Sequence, residues 1–260
     1  MREWIITENM TPIIASAIHN GHRIDPELLP YLALSDEERR REEDPYTDIF
    51  TEVTPSRIIV EISRFEVDMN RPREKAVYRT PEDAWGLHLY KKPRPQKLIE
   101  RALAKYDRFY GEVERYLERI IERYGNFVLL DIHSYNHRRA GPDKPPADPK
   151  ENPDVNVGTG TLLDYDYWRP LIHAFIETLH AYPWENGHLD VRENVKFRGG
   201  YFGKWIHERF KGRGCVLSVE FKKIFMDEWS GKPDMVRIEA LKAALASTLP
   251  VLEIERERVL

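Results

Sequence analysis

The alternation of apolar and polar segments along the chain predicts buried strands separated by helices. Four apolar runs have the length of buried strands; they lie at residues 13–18, 57–68, 127–130 and 215–223, and the second predicts one or two strands. Helical patterns cover residues 26–41, 95–124 and 167–180, a segment that ends at residue 211, and residues 233–252. The second of these helices leads directly into a strand, which is typical of a βαβ unit and predicts an α/β fold.

Polar side chains that can take part in chemistry follow three of the apolar runs. His19 comes after the first run, His133 after the third, and Glu220 near the end of the last. Because ligands bind beyond the carboxyl ends of strands in open α/β sheets, we expect these side chains at one cleft. Asp131 lies on the same side of its strand as His133 and is placed to orient that imidazole. The alternative for this segment is an ordinary polar strand end in solvent.

The segment after the first run has two interpretations, which it does not separate by itself. Gly21 permits a tight turn that aims the imidazole of His19, of His22 or of both into the cleft, or the turn carries two incidental histidines. Two histidines and one carboxylate form a common catalytic zinc shell. A following acidic loop offers Glu43 or Asp44 as that carboxylate, and a separate glutamate could then act as general base.

Three arginines lie close together after the second apolar run. Arg64, Arg71 and Arg73 accompany Asn70 within ten residues of one another. One interpretation is a guanidinium clamp for a substrate carboxylate, because arginine binds carboxylates through two parallel hydrogen bonds. The other is surface ion pairing with the neighbouring acidic residues, which contributes little free energy.

Composition limits the classes of protein that fit these patterns. A chain of 260 residues with 41% hydrophobic and 32% charged residues suits one globular domain over residues 1–260, including a proline-rich flap over residues 140–153. The net charge of −4 gives no argument for binding nucleic acid or an anionic membrane. Cys215 is the only cysteine, so an internal disulfide and a cysteine-based metal cluster are excluded. The short, charged start and the lack of a bilayer-spanning apolar run predict a cytoplasmic protein.

Five separated blocks of the sequence resemble the N-formylglutamate amidohydrolase (formylglutamate deformylase) family. They lie at residues 18–21, 43–48, 63–72, 131–134 and 219–228, in the order in which the family has them. They include the His-Asn-Gly segment at residue 19, the Asp-x-His-Ser segment at residue 131 and the Asn-Arg pair at residue 70, and the five blocks in the right order make the match specific. The resemblance implies a zinc-peptidase-like α/β fold related to metallocarboxypeptidases, with a mixed sheet flanked by helices in a single domain.

The same resemblance implies a set of metal ligands and a catalytic base. Carried over position by position, it implies that His19, Asp44 and His133 bind zinc, about one ion per chain. It also implies that Glu220 is the general base, acting on a metal-activated water and later protonating the leaving amine. Since no serine or cysteine stands in a nucleophile-elbow pattern, covalent acyl transfer is disfavoured.

Substrate contacts are implied at five further positions. Asn70 and Arg71 resemble the pair that holds a substrate carboxylate in the wider group, with Arg64 and Lys223 as further candidates. His22 departs from the commoner family residue, and it is assigned either to the substrate or to the metal. We therefore predict a small-molecule partner: an amide that carries a free carboxylate.

These implications predict metal-dependent hydrolysis of the amide bond of an N-acyl amino acid, such as an N-formyl amino acid. Two alternatives stay open at this point. One is a carboxypeptidase-like or aspartoacylase-like deacylase that acts on other acyl groups. The other is a relative that binds a small molecule without turning it over; such a relative would more often have lost Glu220 or a histidine.

Overall fold

A seven-stranded mixed sheet runs through the centre of the molecule. The computed structural model of the protein describes residues 2–7, 9–185 and 187–259. The strands of the sheet are β1 (Trp4–Ile6), β2 (Ile13–Ala17), β3 (Ser56–Val60), β4 (Phe127–Tyr135), β5 (Val155–Gly158), β8 (Val191–Glu193) and β9 (Gly214–Lys222). A short hairpin of β6 (Pro183–Trp184) and β7 (Gly187–His188) lies apart from it.

The helices lie on the two faces of this sheet. They are α1 (Asp36–Glu42), α2 (Thr47–Phe50), α3 (Gln96–Tyr124), α4 (Tyr165–His180), α5 (Tyr201–Arg209), α6 (Met235–Ala246) and α7 (Leu249–Arg258). Short 3-10 turns occupy Leu29–Tyr31, Thr51–Val53, Arg73–Lys75 and Pro81–Ala84. Across the described ranges, no helix combines the length and apolar character that crossing a bilayer requires.

The strand order places the carboxyl ends of three central strands at one edge of the sheet. The order is β1-β3-β2-β4-β9-β5-β8. Strands β3, β2, β4 and β9 run parallel to one another, whereas β1 pairs antiparallel with β3 and β5 pairs antiparallel with β9. The chain passes from β3 through α3 to β4 and leaves β2 between them. Residues that follow β2, β4 and β9 therefore meet at the same edge.

Two apolar cores, one on each face, fix the direction of the β4 side chains. Leu130 and Ile132 pack in the core that includes Trp168 of α4. Leu129 points to the opposite face and packs in the core formed with α3 and α5. Because side chains alternate along a strand, Asp131 and His133 lie on the α3 and α5 side, beyond the end of that core.

The helical and strand predictions are confirmed in outline, with three corrections. The long helix ends at Gly125 as predicted, where the glycine has a φ of 81°. Over residues 26–41 the structure has a 3-10 turn and then α1, which begins with a capping box at Ser35. The strand predicted over residues 57–68 stops at Val60, and irregular turns follow. The predicted last helix is two helices, because Pro250 lacks the N–H that a continuous helix needs.

His207 of α5 is a buried imidazole whose two ring nitrogens both have partners. Its Nδ1 lies 3.0 Å from the Thr161 hydroxyl, and its Nε2 accepts a hydrogen bond of 2.9 Å from the backbone N–H of Val216. Burial disfavours the charged ring and lowers the pKa of His207 to about 4. The folded protein therefore holds this imidazole in its neutral form.

We expect His207 to make folding sensitive to mild acid. An unfolded histidine takes up a proton near pH 6.5, whereas the native ring does so only near pH 4, so stability falls as the pH drops through this window. The linked loss at pH 5 is roughly 2 kcal/mol. Urea unfolding of His207→Gln should show a shallower loss between pH 7 and pH 5 than wild type. His173→Gln, at an exposed position of α4, is the control; equal slopes in all three proteins would contradict the prediction.

Candidate active site

Two histidines and an aspartate converge where the carboxyl ends of β2 and β4 meet. His19 stands just after β2, and His133 lies near the carboxyl end of β4. Asp44 follows α1, and its backbone N–H donates to the carbonyl of His19 at 3.0 Å. This hydrogen bond joins the acidic loop to the end of β2, so the backbone holds Asp44 next to His19.

The three side chains present ligand atoms to a common point. Asp44 Oδ2 lies 3.0 Å from His133 Nδ1 and 3.6 Å from His19 Nδ1. One ligand atom from each residue lies within 4.8 Å of the others, and all three residues are buried. Two imidazole nitrogens and a carboxylate oxygen are the donor set of many catalytic zinc sites, so the residues present fit the metal that the resemblance implies.

A second carboxylate orients each imidazole from behind. His19 Nε2 lies 2.7 Å from Asp68 Oδ1, and His133 Nε2 lies 3.0 Å from Asp131 Oδ2. A proton on Nε2 is therefore stabilised by a carboxylate, and each Nδ1 faces Asp44, where it donates to the carboxylate when it is protonated and offers a lone pair to a metal ion when it is not. Carboxylate partners of this kind commonly fix the tautomer of metal-binding histidines.

Two buried carboxylates of the site, Asp44 and Asp68, are held in their ionised form by their neighbours. Burial by itself would raise the pKa of Asp44, but hydrogen bonds from His133 and His19 outweigh it and hold that pKa well below its usual range. The pKa of Asp68 is also well below its usual range, because Arg64 and His19 outweigh the effect of burial. Both groups therefore stay anionic at neutral pH.

Asp68 is held by a network of donors. Arg64 Nη2 donates to Asp68 Oδ2 at 2.9 Å, the Tyr78 hydroxyl donates to the same oxygen, and the backbone N–H of Asn70 donates to Oδ1 at 2.7 Å. Arg64 is thus linked to His19 through Asp68. Its guanidinium lines the cavity and also supports the candidate metal site through Asp68. The sequence did not indicate this supporting contact.

Glu220 stands next to His133 on the neighbouring strand. The two residues are directly paired in the parallel register of β4 and β9, so both side chains project from the same face. Glu220 is partly exposed to the cavity. Desolvation raises the pKa of its carboxyl group to about 7, although His133 counteracts the shift.

A cavity of about 350 Å³ opens in front of these side chains. All but one of the predicted site residues line it, namely His19, Asp44, Arg64, Asn70, Arg71, His133, Glu220 and Lys223. Among the described residues, His22 is outside this lining: its Nδ1 lies 2.5 Å from Glu43 Oε2. Glu43 is also paired with the Ser63 hydroxyl, so His22 and Glu43 are engaged with each other and with the fold.

The positively charged residues of the cavity differ in how far they are committed to other contacts. Lys223 is buried, and its Nζ donates to the carbonyls of Arg41 at 2.7 Å and Glu43 at 2.8 Å. Burial lowers the pKa of Lys223 to about 8. Arg71 is more exposed, and its Nε is 4.0 Å from Asp68 Oδ2. Arg73 does not line the cavity. It forms a surface ion pair with Asp107 at 2.6 Å, as the second interpretation of the arginine cluster predicted for such residues.

Sequence reasoning missed several residues of the cavity. Trp85 and Phe197 line the cavity from irregular loops, and Tyr78, behind the lining, donates to Asp68 but stands in no recognisable motif. Asp68 carried a usable signal, since it lies four residues after Arg64 within a family-like block. Its burial against His19, rather than its presence, was the unforeseen feature.

Asn70 connects the arginine loop to the start of α5. Its Oδ1 accepts a hydrogen bond of 2.9 Å from the backbone N–H of Phe202, so its side chain caps the first turn of that helix. A Cβ at Gly200 would lie 2.2 Å from both terminal atoms of the Asn70 amide. A larger residue at position 200 would therefore have to displace the Asn70 amide, and both residues line the cavity.

We expect Gly200→Ala to destabilise the fold and to displace Asn70. The backbone of Gly200 (φ −102°, ψ −174°) is accessible to alanine, so the penalty comes from the contact and the loss of the cap, about 1 kcal/mol or more. Gly111→Ala in α3 is the matched control, because its nearest new neighbour would be 3.7 Å away and alanine favours helix. Thermal unfolding should show a lower Tm for Gly200→Ala and a higher one for Gly111→Ala. A Gly200→Ala protein as stable as wild type would refute the close approach.

Comparison with known proteins identifies the family. A family model described as N-formylglutamate amidohydrolase matches residues 11–225. The fold is similar to that of an N-formylglutamate amidohydrolase from Ralstonia eutropha, with a TM-score of 0.72 at 16% identity over 98% of both chains. A gene product of Agrobacterium tumefaciens gives a TM-score of 0.64 at 17% identity, covering 93% of this chain and 92% of its own. These structures confirm the mixed α/β fold.

Other comparisons add less. A putative carboxypeptidase A from Shewanella denitrificans gives a TM-score of 0.37 at 13% identity, covering 96% of this chain and 59% of its own, and so low a score does not by itself establish a shared fold. No curated protein sequence matches the chain. The family model covers most of the sequence and includes every predicted site residue. The chain therefore belongs to the N-formylglutamate amidohydrolase family.

Proposed function

We propose that the protein is a zinc-dependent hydrolase that cleaves the amide bond of an N-acyl amino acid bearing a free carboxylate, with N-formyl amino acids as the first candidates. The observation that carries the proposal is the convergence of His19, Asp44 and His133 beside Glu220. Ligand-type atoms and a potential base thus share one cavity of a size that suits a small molecule. Membership of an amidohydrolase family supports the reaction class.

The metal would be held by His19 Nδ1, His133 Nδ1 and the Asp44 carboxylate, with about one zinc ion per chain. A zinc ion bound there supplies a Lewis acid and lowers the pKa of water toward neutrality. Asp68 and Asp131 keep the two imidazoles turned toward that position. Since both carboxylates are buried, this orientation is built into the folded chain.

Glu220 is assigned the proton transfers. Its carboxylate accepts a proton from the water that attacks the amide carbonyl, and the protonated carboxyl then donates that proton to the amide nitrogen as the C–N bond breaks. The products are a carboxylic acid and an amine, so the atoms of one water molecule are fully used. The position of Glu220 beside His133 supports this role, because it places the carboxylate next to the residues that would hold the metal.

Arg71 and Asn70 are assigned to the substrate carboxylate. Arg71 is the partly exposed arginine of the cavity whose contact with Asp68 is long, which leaves its guanidinium available to an incoming anion. Asn70 is positioned through its cap on α5. Lys223 adds positive charge to the cavity, and Arg64 acts mainly by holding Asp68.

Metal binding tests the ligand assignment directly. We expect the metal-stripped protein to take up about one zinc ion per chain in isothermal titration calorimetry. His133→Ala should lose at least tenfold in zinc affinity, because second-shell substitutions alone typically cost 10- to 100-fold. His173→Ala, an exposed histidine on α4, is the control and should bind as wild type. Undiminished affinity in His133→Ala would remove this residue from the shell.

The role of Glu220 is tested by a substitution that keeps its shape. We expect Glu220→Gln to lose roughly 10²- to 10⁴-fold in kcat for release of amine from N-formyl amino acids, because an amide cannot accept and return the proton. Zinc content should be unchanged. Glu193→Gln on β8 is the control for a strand glutamate outside the cavity. A kcat within a fewfold of wild type would disprove the base assignment, and loss of zinc would make Glu220 a ligand.

A further inference from the structure

Trp85 has an unusual backbone conformation for a bulky residue. It follows the 3-10 turn Pro81–Ala84 with φ 55° and ψ 27°, in the left-handed region. A large L side chain rarely adopts this conformation, because its Cβ crowds the neighbouring carbonyl. Gly86, the next residue, also has a positive φ. Glycine at position 85 would relieve the strain, so the presence of tryptophan calls for a reason in its side chain.

Core packing explains only part of the Trp85 side chain, whose ring meets the ring of buried Tyr78 edge to face with centroids 6.2 Å apart. The buried members of the adjacent apolar cluster are Phe65, Tyr78, Ala84 and Leu89. Trp85 itself is 53% exposed and lines the active-site cavity. A strained tryptophan left half in solvent costs free energy twice, once in its backbone and once in its exposed ring. A ligand that covers the ring would offset the second cost.

The indole ring lies over the two arginines that matter most to the site. The guanidinium carbon of Arg64 is 4.7 Å from the ring centroid, and that of Arg71 is 5.9 Å away. Arg71 is the proposed contact for the substrate carboxylate. In an amino-acid substrate, the side chain leaves the carbon that bears this carboxylate, so it must lie within a few bonds of Arg71. Trp85 therefore lies within reach of this side chain.

We infer that Trp85 determines substrate specificity, and that the site prefers N-acyl amino acids with an aromatic side chain, which stacks on the exposed part of the indole. Flat rings gain most from such a contact, because stacking adds to the burial of apolar area. Phe197, another exposed aromatic residue of the cavity lining, adds further apolar surface to the cavity. This inference rests on the proposed function, since it takes the amide substrate and the role of Arg71 from there.

The test compares kcat/KM for N-formyl-L-phenylalanine and N-formyl-L-alanine in the zinc-loaded enzyme. Wild type should prefer the phenylalanine substrate, and Trp85→Gly should reduce that preference about tenfold, which matches the upper range for an aromatic pair. Trp85→Phe should retain most of it. Leu163→Ala, which removes an exposed apolar side chain outside the cavity, should leave the ratio unchanged.

Stability separates this role from a structural one. Trp85→Gly relieves the left-handed strain, so its Tm should be at least as high as that of Trp85→Phe, although its selectivity is lower. If the role of Trp85 were purely structural, the variant with the lower selectivity would also have the lower Tm. An unchanged ratio in Trp85→Gly, or an equal loss on both substrates, would overturn the inference and leave Trp85 as a support for Arg71.

The two proposals fail in different ways. If wild type hydrolyses both substrates without preference, the specificity inference is wrong and the proposed function stands. If wild type hydrolyses neither, the proposed function is wrong, and calorimetric binding of the same two compounds then decides the role of Trp85. Tighter binding of the phenylalanine compound that is lost in Trp85→Gly would support the inference; equal binding by wild type would refute it.

Discussion

The contact between buried carboxylates and the two histidines is the constraint on which the rest of the site depends. Asp68 and Asp131 hold the imidazoles from behind, and Asp44 faces them from the front. Three buried carboxylates this close together are costly unless each is paired. The fold meets that cost with the histidines themselves and with Arg64 and other donors around Asp68. The surrounding loops must keep these partners in place, which explains why so many polar side chains are buried at this edge.

The sequence indicated the fold class and which polar side chains lie at one cavity, but it did not indicate the order of the strands. His133 and Asp131 could be recognised because strand alternation and a two-residue spacing decide where both side chains point. Glu220 followed from the same reasoning. Sheet order could not be derived, because the pairing of β4 with β9 joins residues far apart in sequence and depends on how the apolar faces pack. The outline of the long helix was clear since its apolar spacing is regular and Gly125 ends it.

Two residues on irregular segments, Tyr78 and Trp85, escaped prediction for a physical reason. The chain between Val60 and Gln96 has few regular elements, so its path is set by tertiary contacts such as that of Asn70 with the first turn of α5. Tyr78 reaches Asp68 only because of this path. His22 shows the converse: it lies in a recognisable block, yet its contact with Glu43 turns it away from the cavity lining. A sequence motif indicates which part of the fold a residue occupies. The direction of its side chain depends on contacts with residues outside the motif.

The parallel register of β4 and β9 has a consequence for how activity emerges during folding. Glu220 stands beside His133 only when these two strands pair in their native alignment, and a slip of one residue would put Val219 or Phe221 there instead. Contacts between segments so distant along the chain form slowly, since the intervening loop must first be closed. Recovery of catalytic turnover during refolding would thus report on this late, long-range pairing. Compact chains in which the two strands are out of register would show no activity.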